Sequence, residues 1–258
     1  MLTSEELRNL QKKVEDIVLG AGEYAFSKWQ NVEAIQKGTA GDVVTEVDDF
    51  LESQISEQLD GLISGAVVLG EEHGGELKDG YVWLIDPIDG TKHYAHSMPS
   101  FYVQVALLYN NAPILGVVYD PVAEQLFSAS KGNGTCLNSE KIEFGNTISI
   151  ENAVVDIDFG GQELLDWKSD AFREIARAAY RTRVSAGRFA LYLLTGGINA
   201  FIVLNPTTKL WDQAPRIILF EEAGFTVEQF EVDGHKVILA SKGELFLKIK
   251  EIIINTVR

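Results

Sequence analysis

Tyr81-Val82-Trp83-Leu84-Ile85-Asp86-Pro87-Ile88-Asp89-Gly90-Thr91 is an apolar run that stops at two carboxylates, a glycine and a hydroxyl. Its β-branched and aromatic residues predict a strand over Tyr81 to Ile85, with Pro87 turning the backbone so that Asp86 and Asp89 face one rim. Two carboxylates about 4 Å apart repel by about 4 kcal/mol at an effective dielectric near 20. A cation removes that cost, and oxygen-only ligands suit a hard metal such as Mg²⁺. If a helix or tight turn starts at Gly90-Thr91, its free N–H groups form an anion pocket beside the metal. On its own the segment is equally a β-turn, since Asp, Pro and Gly are common turn residues. Two other stretches, Val67-Val68-Leu69-Gly70-Glu71-Glu72 and Leu210-Trp211-Asp212, also place acid after an apolar run, and one metal cluster would use them all.

The rest of the chain sets the frame. A chain of 258 residues, 46% hydrophobic, can bury a substantial core as one large domain or two joined halves. Its formal charge of −16 repels nucleic acid and anionic membrane surface, so neither is expected as a partner. Cys136 is the single cysteine, which excludes an intrachain disulfide and fits a reducing compartment. The acidic start Met1 to Glu6 is unlike a signal peptide, and no stretch reaches the roughly 18 apolar residues of a membrane span. A cytoplasmic protein is the expectation.

Thr3 with Glu6, and Thr45 with Asp48, have the spacing of capping boxes. Leu7, Leu10, Val14, Ile17, Val18, Ala21 and Tyr24 give the first helix its apolar face, with Trp29 at its end; Val47, Phe50, Leu51, Ile55, Leu59 and Leu62 do so for the second. Strands follow at Ala66–Leu69, Tyr81–Ile85, Phe101–Tyr109, Ile114–Tyr119, Glu124–Ala129 and Gly134–Leu137. Beyond residue 150 the pattern alternates: strands at Val154–Phe159, Thr182–Ser185, Ala200–Leu204 and Lys236–Ala240, helices at Glu163–Tyr180, Arg188–Thr195, Asp212–Ala223 and Glu244–Asn255. An α+β half over 1–150 tightly joined to an α/β half over 151–258, the latter carrying Asp212, is the expected organisation.

Gly70-Glu71-Glu72, Asp86-Pro87-Ile88-Asp89-Gly90-Thr91 and Trp211-Asp212, in this order and spacing, together with Lys37 to Asp48 and Gly116-Val117-Val118-Tyr119-Asp120-Pro121, resemble the inositol monophosphatase family of Mg²⁺-dependent, lithium-sensitive phosphatases. The resemblance implies a layered α-β-α-β-α sandwich, a homodimer, and two to three Mg²⁺ ions. It implies that Glu71, Asp86 and the Ile88 carbonyl hold one ion while Asp86, Asp89 and Asp212 hold a second. Thr91 with Glu71 would deprotonate the attacking water, Asp48 would support Thr91, and Gly90 and Thr91 would receive the phosphate; Asp89, Asp212, Gly187 and Arg188 would also contact substrate. For Asp48, capping the second helix is the competing role. Glu72 is expected as a solvated neighbour, His93 and His96 as rim residues, and Asp42 as a turn residue in an entrance loop shaped with Lys37 and Glu46.

Substrate is left open. Inositol-specific members carry a glutamate shortly before the Trp-Asp pair, whereas Ala200 to Leu210 holds Asn205 and no acid. Arg188, in place of a small residue, would bind a second phosphate or else face solvent or a dimer partner. Inositol monophosphate or a similar polyol or sugar phosphate leads, with fructose 1,6-bisphosphate, 3′-phosphoadenosine 5′-phosphate and histidinol phosphate as competitors. A regulatory protein retaining the fold is the alternative of a different class.

Overall fold

The computed structural model describes residues 1–31, 35–36, 43–144, 148–160, 163–185, 187–204 and 209–256, with backbone alone for 35, 36, 43, 187 and 188. In chain order come α1 (Ser4–Lys28), β1 (Ile35–Gln36), β2 (Val43–Val44), α2 (Glu46–Leu59), β3 (Val67–Gly70), β4 (Tyr81–Asp89) and α3 (Thr91–Ala95). Then follow β5 (Tyr102–Tyr109), β6 (Ala112–Asp120), β7 (Gln125–Ser130), β8 (Gly134–Leu137) and β9 (Glu140–Lys141). The remainder is β10 (Val154–Asp158), α4 (Leu165–Ala178), β11 (Arg181–Val184), β12 (Ala200–Leu204), α5 (Leu210–Glu222), β13 (Thr226–Val232), β14 (His235–Ser241) and α6 (Gly243–Asn255). This is a mixed α+β layered fold, with two large sheets and six α-helices among the described residues.

The chain divides into two compact units, one of residues 1–142 with 209–222 and one of 143–208 with 223–258. In the first unit, seven strands run in the order β3-β4-β5-β6-β7-β8-β9, antiparallel except for the parallel pair β3–β4. Side chains alternate across this sheet with period two. Trp83, Ile85, Val103, Val105, Leu107 and Leu115 pack with the apolar stripes of α1 and α2. Val82, Leu84, Ala106 and Leu108 point the other way and meet Ala214, Leu210 and Trp211 of α5. Both faces of β4 are thus covered, which is why its sequence is continuously apolar instead of alternating. Close approach of α5 requires Gly116, where a Cβ would lie 2.7 Å from the Pro215 carbonyl oxygen. α5, with Asp212, belongs to this first unit although it lies far beyond residue 142 in the chain.

The second unit has five strands in the order β11-β10-β12-β14-β13, with β10 parallel to both its neighbours. Val155, Ile157, Ala200, Ile202, Val237 and Leu239 bury one face against α4 and α6.

Three expectations need correction. β4 does not stop at Ile85: pairing with β5 continues to Asp89 through a register shift between Asp86 and Asp89, so Pro87 makes a bulge within the strand. The helix expected over Arg188–Thr195 is a 3-10 helix over Gly187–Leu193. In α2, Phe50 is 43% exposed, while Asp48 and Glu52 are buried on the face assigned to it. β13 is an additional strand whose polar Glu228, Gln229 and Glu231 hide its pattern. Its turn is the Asp233-Gly234 pair, both at positive φ, as a two-residue hairpin needs.

Candidate metal centre

The bulge in β4 is what assembles the site. Asp86 stays in register with Gln104 of β5 and Asp89 pairs with Tyr102, so the extra residues between them let both carboxylates reach one corner. Asp212, in the first turn of α5, completes it: one carboxylate oxygen from each of Asp86, Asp89 and Asp212 lies within 4.8 Å of the others. At that separation two ionised carboxylates repel by roughly 3 kcal/mol even at an effective dielectric near 20. Asp86 is almost fully buried. Its Oδ2 accepts a hydrogen bond from Gln104 Nε2 at 2.8 Å, while its Oδ1 has no donor among the described residues.

Glu71 follows β3, whose parallel pairing with β4 brings it beside Asp86, and its N–H donates to the Ile85 carbonyl. The charges of Glu71, Asp89 and Asp212 all bear on Asp86. The crowding shows in their acidities. Burial, then the charge of Asp212, pushes the Glu71 carboxyl up to about 8. Burial and the Asp89 charge raise Asp212 to about 6, and burial with Glu71 and Asp89 raises Asp86 well above the ordinary range. Oxygen-only donors, a buried oxygen lacking a donor and mutually destabilised carboxylates fit a hard divalent cation.

Thr91 sits at the start of α3, where Gly90 adopts a left-handed conformation with φ 96° and turns the chain. Its hydroxyl lies 3.1 Å from Asp48 Oδ1 and 2.9 Å from the Ile88 carbonyl oxygen, both acceptors, so its single proton goes to one at a time. Asp48 makes the contacts of both roles between which the sequence left a choice. Its Oδ2 accepts from the N–H of Thr45 at 2.9 Å and from the Thr45 hydroxyl at 2.5 Å, closing the capping box of α2, while Oδ1 serves Thr91. Burial outweighs these bonds and raises Asp48 to about 6.

Three functional residues escaped the sequence reading. Gln104 is the polar exception in the apolar strand β5, and that exception was its signal. Glu52 lies one turn after Asp48 on α2, 1% exposed, and accepts the N–H groups of Glu72 at 2.7 Å and His73 at 2.8 Å, fixing the loop that carries Glu71. Gly70 makes room for it, since a Cβ there would lie 2.1 Å from Glu52 Oε1. Arg216, one turn after Asp212 on α5, is 7% exposed and pairs with Asp89 through Nη2 and Oδ2.

Other expected residues fall as follows. Glu72 is half-buried and its charge bears on Asp48 and Glu71, so it is not merely solvated. His96 is exposed, its Nδ1 2.7 Å from the Lys92 carbonyl oxygen, and His93 is half-buried. Lys37, Asp42, Asn205 and the side chain of Arg188 lie outside the described residues; for Gly187 the backbone is described, within the 3-10 helix.

A family model for the inositol monophosphatase family matches residues 6–257. An inositol-1-monophosphatase of Synechocystis sp. is 30% identical over 99% of this chain and 92% of its own length. The Nus factor SuhB of Pseudomonas aeruginosa is 32% identical over 81% of each chain. Among solved structures, the IMPase of Thermotoga maritima is similar at a TM-score of 0.79 with 26% identity, over 94% of this chain and 96% of that one. The chain belongs to the inositol monophosphatase family, a family of metal-dependent phosphatases that act on phosphate monoesters. No helix among the described residues is long and apolar enough to cross a membrane.

Proposed function

We propose that this chain is a Mg²⁺-dependent phosphomonoesterase acting on a small polyol or sugar phosphate, with inositol monophosphate the leading substrate. The observation that carries the reading is the meeting of Asp86, Asp89 and Asp212, with one buried oxygen of Asp86 lacking a donor among the described residues, beside a threonine hydroxyl bonded to a carboxylate.

Glu71, Asp86, the Ile88 carbonyl, Asp89 and Asp212 would hold Mg²⁺. When bound, the ions supply positive charge that offsets these carboxylates and polarises both the phosphoryl group and the attacking water. The chain's own residues do the rest. Thr91 donates its proton to Asp48, which turns its lone pairs toward the incoming water; that arrangement needs Asp48 ionised, so it weakens as pH falls through about 6. Glu71, pushed up to about 8 by burial and the charge of Asp212, would return to its carboxylate form under a bound cation's charge and take the water's proton directly, while Thr91 orients that water. N–H groups of Gly90 and Thr91, in the turn that opens α3, face no intrahelical acceptor by position and suit phosphate oxygens. Gly187 and Arg188 are the proposed substrate-facing pair.

The test is phosphate release from a panel of inositol, fructose, nucleotide and histidinol phosphates, with Mg²⁺, with EDTA and with Li⁺. The expected outcome is Mg²⁺-dependent, lithium-inhibited release, strongest on inositol monophosphate. Metal-independent hydrolysis overturns the reading of the site, and no hydrolysis of any phosphomonoester overturns the enzyme and leaves the regulatory role.

A further inference from the structure

Arg216 is a permanent cation set inside the acidic corner. It projects from α5 one turn beyond Asp212, so the two side chains share a helix face. Its guanidinium bonds Asp89, while Asp212 and Asp86 also bear on it. The guanidinium is not saturated by this pairing: its buried Nε has no acceptor among the described residues. A guanidinium stays charged at any physiological pH. Four carboxylates, from Glu71, Asp86, Asp89 and Asp212, would balance two divalent ions in charge. With Arg216 on Asp89 they no longer do, and the imbalance falls where the guanidinium lies, at Asp89 and Asp212.

We propose that Arg216 is a built-in charge competitor for the divalent ion at Asp89 and Asp212: the chain binds one ion tightly through Glu71 and Asp86, and a second only weakly while the guanidinium holds Asp89. The proposal rests on the metal reading above. It separates two positions that the acids alone would leave alike, because a divalent ion beside Asp89 meets both a shared ligand and a like charge in a site of low exposure.

Mn²⁺ titration of the full chain without substrate, by calorimetry and by electron paramagnetic resonance counting of bound ions, tests it in the native protein, Arg216→Gln and Arg216→Lys. The native chain is expected to bind one ion tightly and a second about tenfold or more weakly, as like-charge repulsion predicts. Arg216→Gln tightens the second ion by about tenfold, and Arg216→Lys, which keeps the charge, does not. An unchanged or weakened second ion in Arg216→Gln, or equal tightening in both variants, overturns the proposal; a residue that merely anchors α5 would lower the melting temperature of both and tighten nothing. Should Arg216→Gln not fold, crystals of the native protein in Mn²⁺ decide. One ion with Arg216 still on Asp89, at a concentration that fills the first position, supports the proposal, and two ions with the guanidinium displaced refute it. Absence of any Mn²⁺ binding would sink the metal reading itself, whereas binding indifferent to Arg216 sinks only this inference.

Discussion

The first unit buries carboxylates in two ways. Glu52 on α2 is 1% exposed, and its two oxygens accept N–H groups from Glu72 and His73. Asp86 on β4 is equally buried, yet among the described residues one oxygen has a single amide donor and the other has none. Burying a charge is costly unless hydrogen bonds replace the lost water. Glu52 is compensated by the fold and acts as an anchor; Asp86 is left in deficit, with Glu71 and Asp212 crowding it, and the deficit is what a cation fills. Asp48 stands between them, one oxygen engaged in capping α2 and the other holding Thr91.

The largest effect expected from this contrast is at Asp86. Asp86→Asn should lower turnover about a thousandfold or more, several kcal/mol of lost charge stabilisation. Its melting temperature in EDTA should hold or rise, because the amide keeps the Gln104 bond and removes a buried charge. Assays with Mg²⁺ and thermal scans with EDTA check both halves; a drop in metal-free stability would mean that Asp86 is an anchor like Glu52.

Glu52→Ala should do the reverse. The N–H groups of half-buried Glu72 and exposed His73 lose a charged acceptor and turn in part to water, so urea unfolding should show a loss of stability of about 1–2 kcal/mol even in EDTA. Turnover should fall as well, since Glu71 loses its fixed position, while Glu52→Gln, which keeps one acceptor, should lie between. Full stability in Glu52→Ala would remove the anchoring role.

A smaller effect is set by pH. The Glu71 carboxyl is ordinarily near 4.5 and is raised to about 8 when folded, and Asp212 is raised to about 6. Between the ordinary and the raised values the folded chain holds protons that the unfolded chain has released. Metal-free stability should therefore fall as pH rises from about 5 to about 8, by up to about 1.4 kcal/mol per pH unit for each proton so held. Mg²⁺ should reverse the trend, stabilising more at pH 8 than at pH 6. Melting temperatures that are flat with pH in EDTA would show that the acids are not in deficit.

Much of the site could be read along the chain, because its acids stand where apolar runs end. The strand into Asp86, the Gly90 turn, the Thr45–Asp48 capping pair and Trp211-Asp212 are all local patterns. The polar partners were harder to see. Gln104 matters only because antiparallel register sets it opposite Asp86, and Glu52 only because α2 lies over the loop after β3. Sequence periodicity placed Phe50 on the buried face of α2, and tertiary packing gave that face to Asp48 and Glu52 instead.

By itself the sequence determined which residues could supply chemistry: acids, a hydroxyl and glycine-rich turns at the ends of buried strands, a pattern that local propensity and hydrophobic periodicity write directly. Only the tertiary structure decided how they are charged. It extended β4 through a bulge so that Asp86 and Asp89 reach one corner, and returned α5 to the first unit so that Asp212 joins them. The same helix brought Arg216 onto Asp89. Electrostatic balance depends on distances between groups remote in sequence and on the water excluded around them, and neither is encoded in any one stretch of chain.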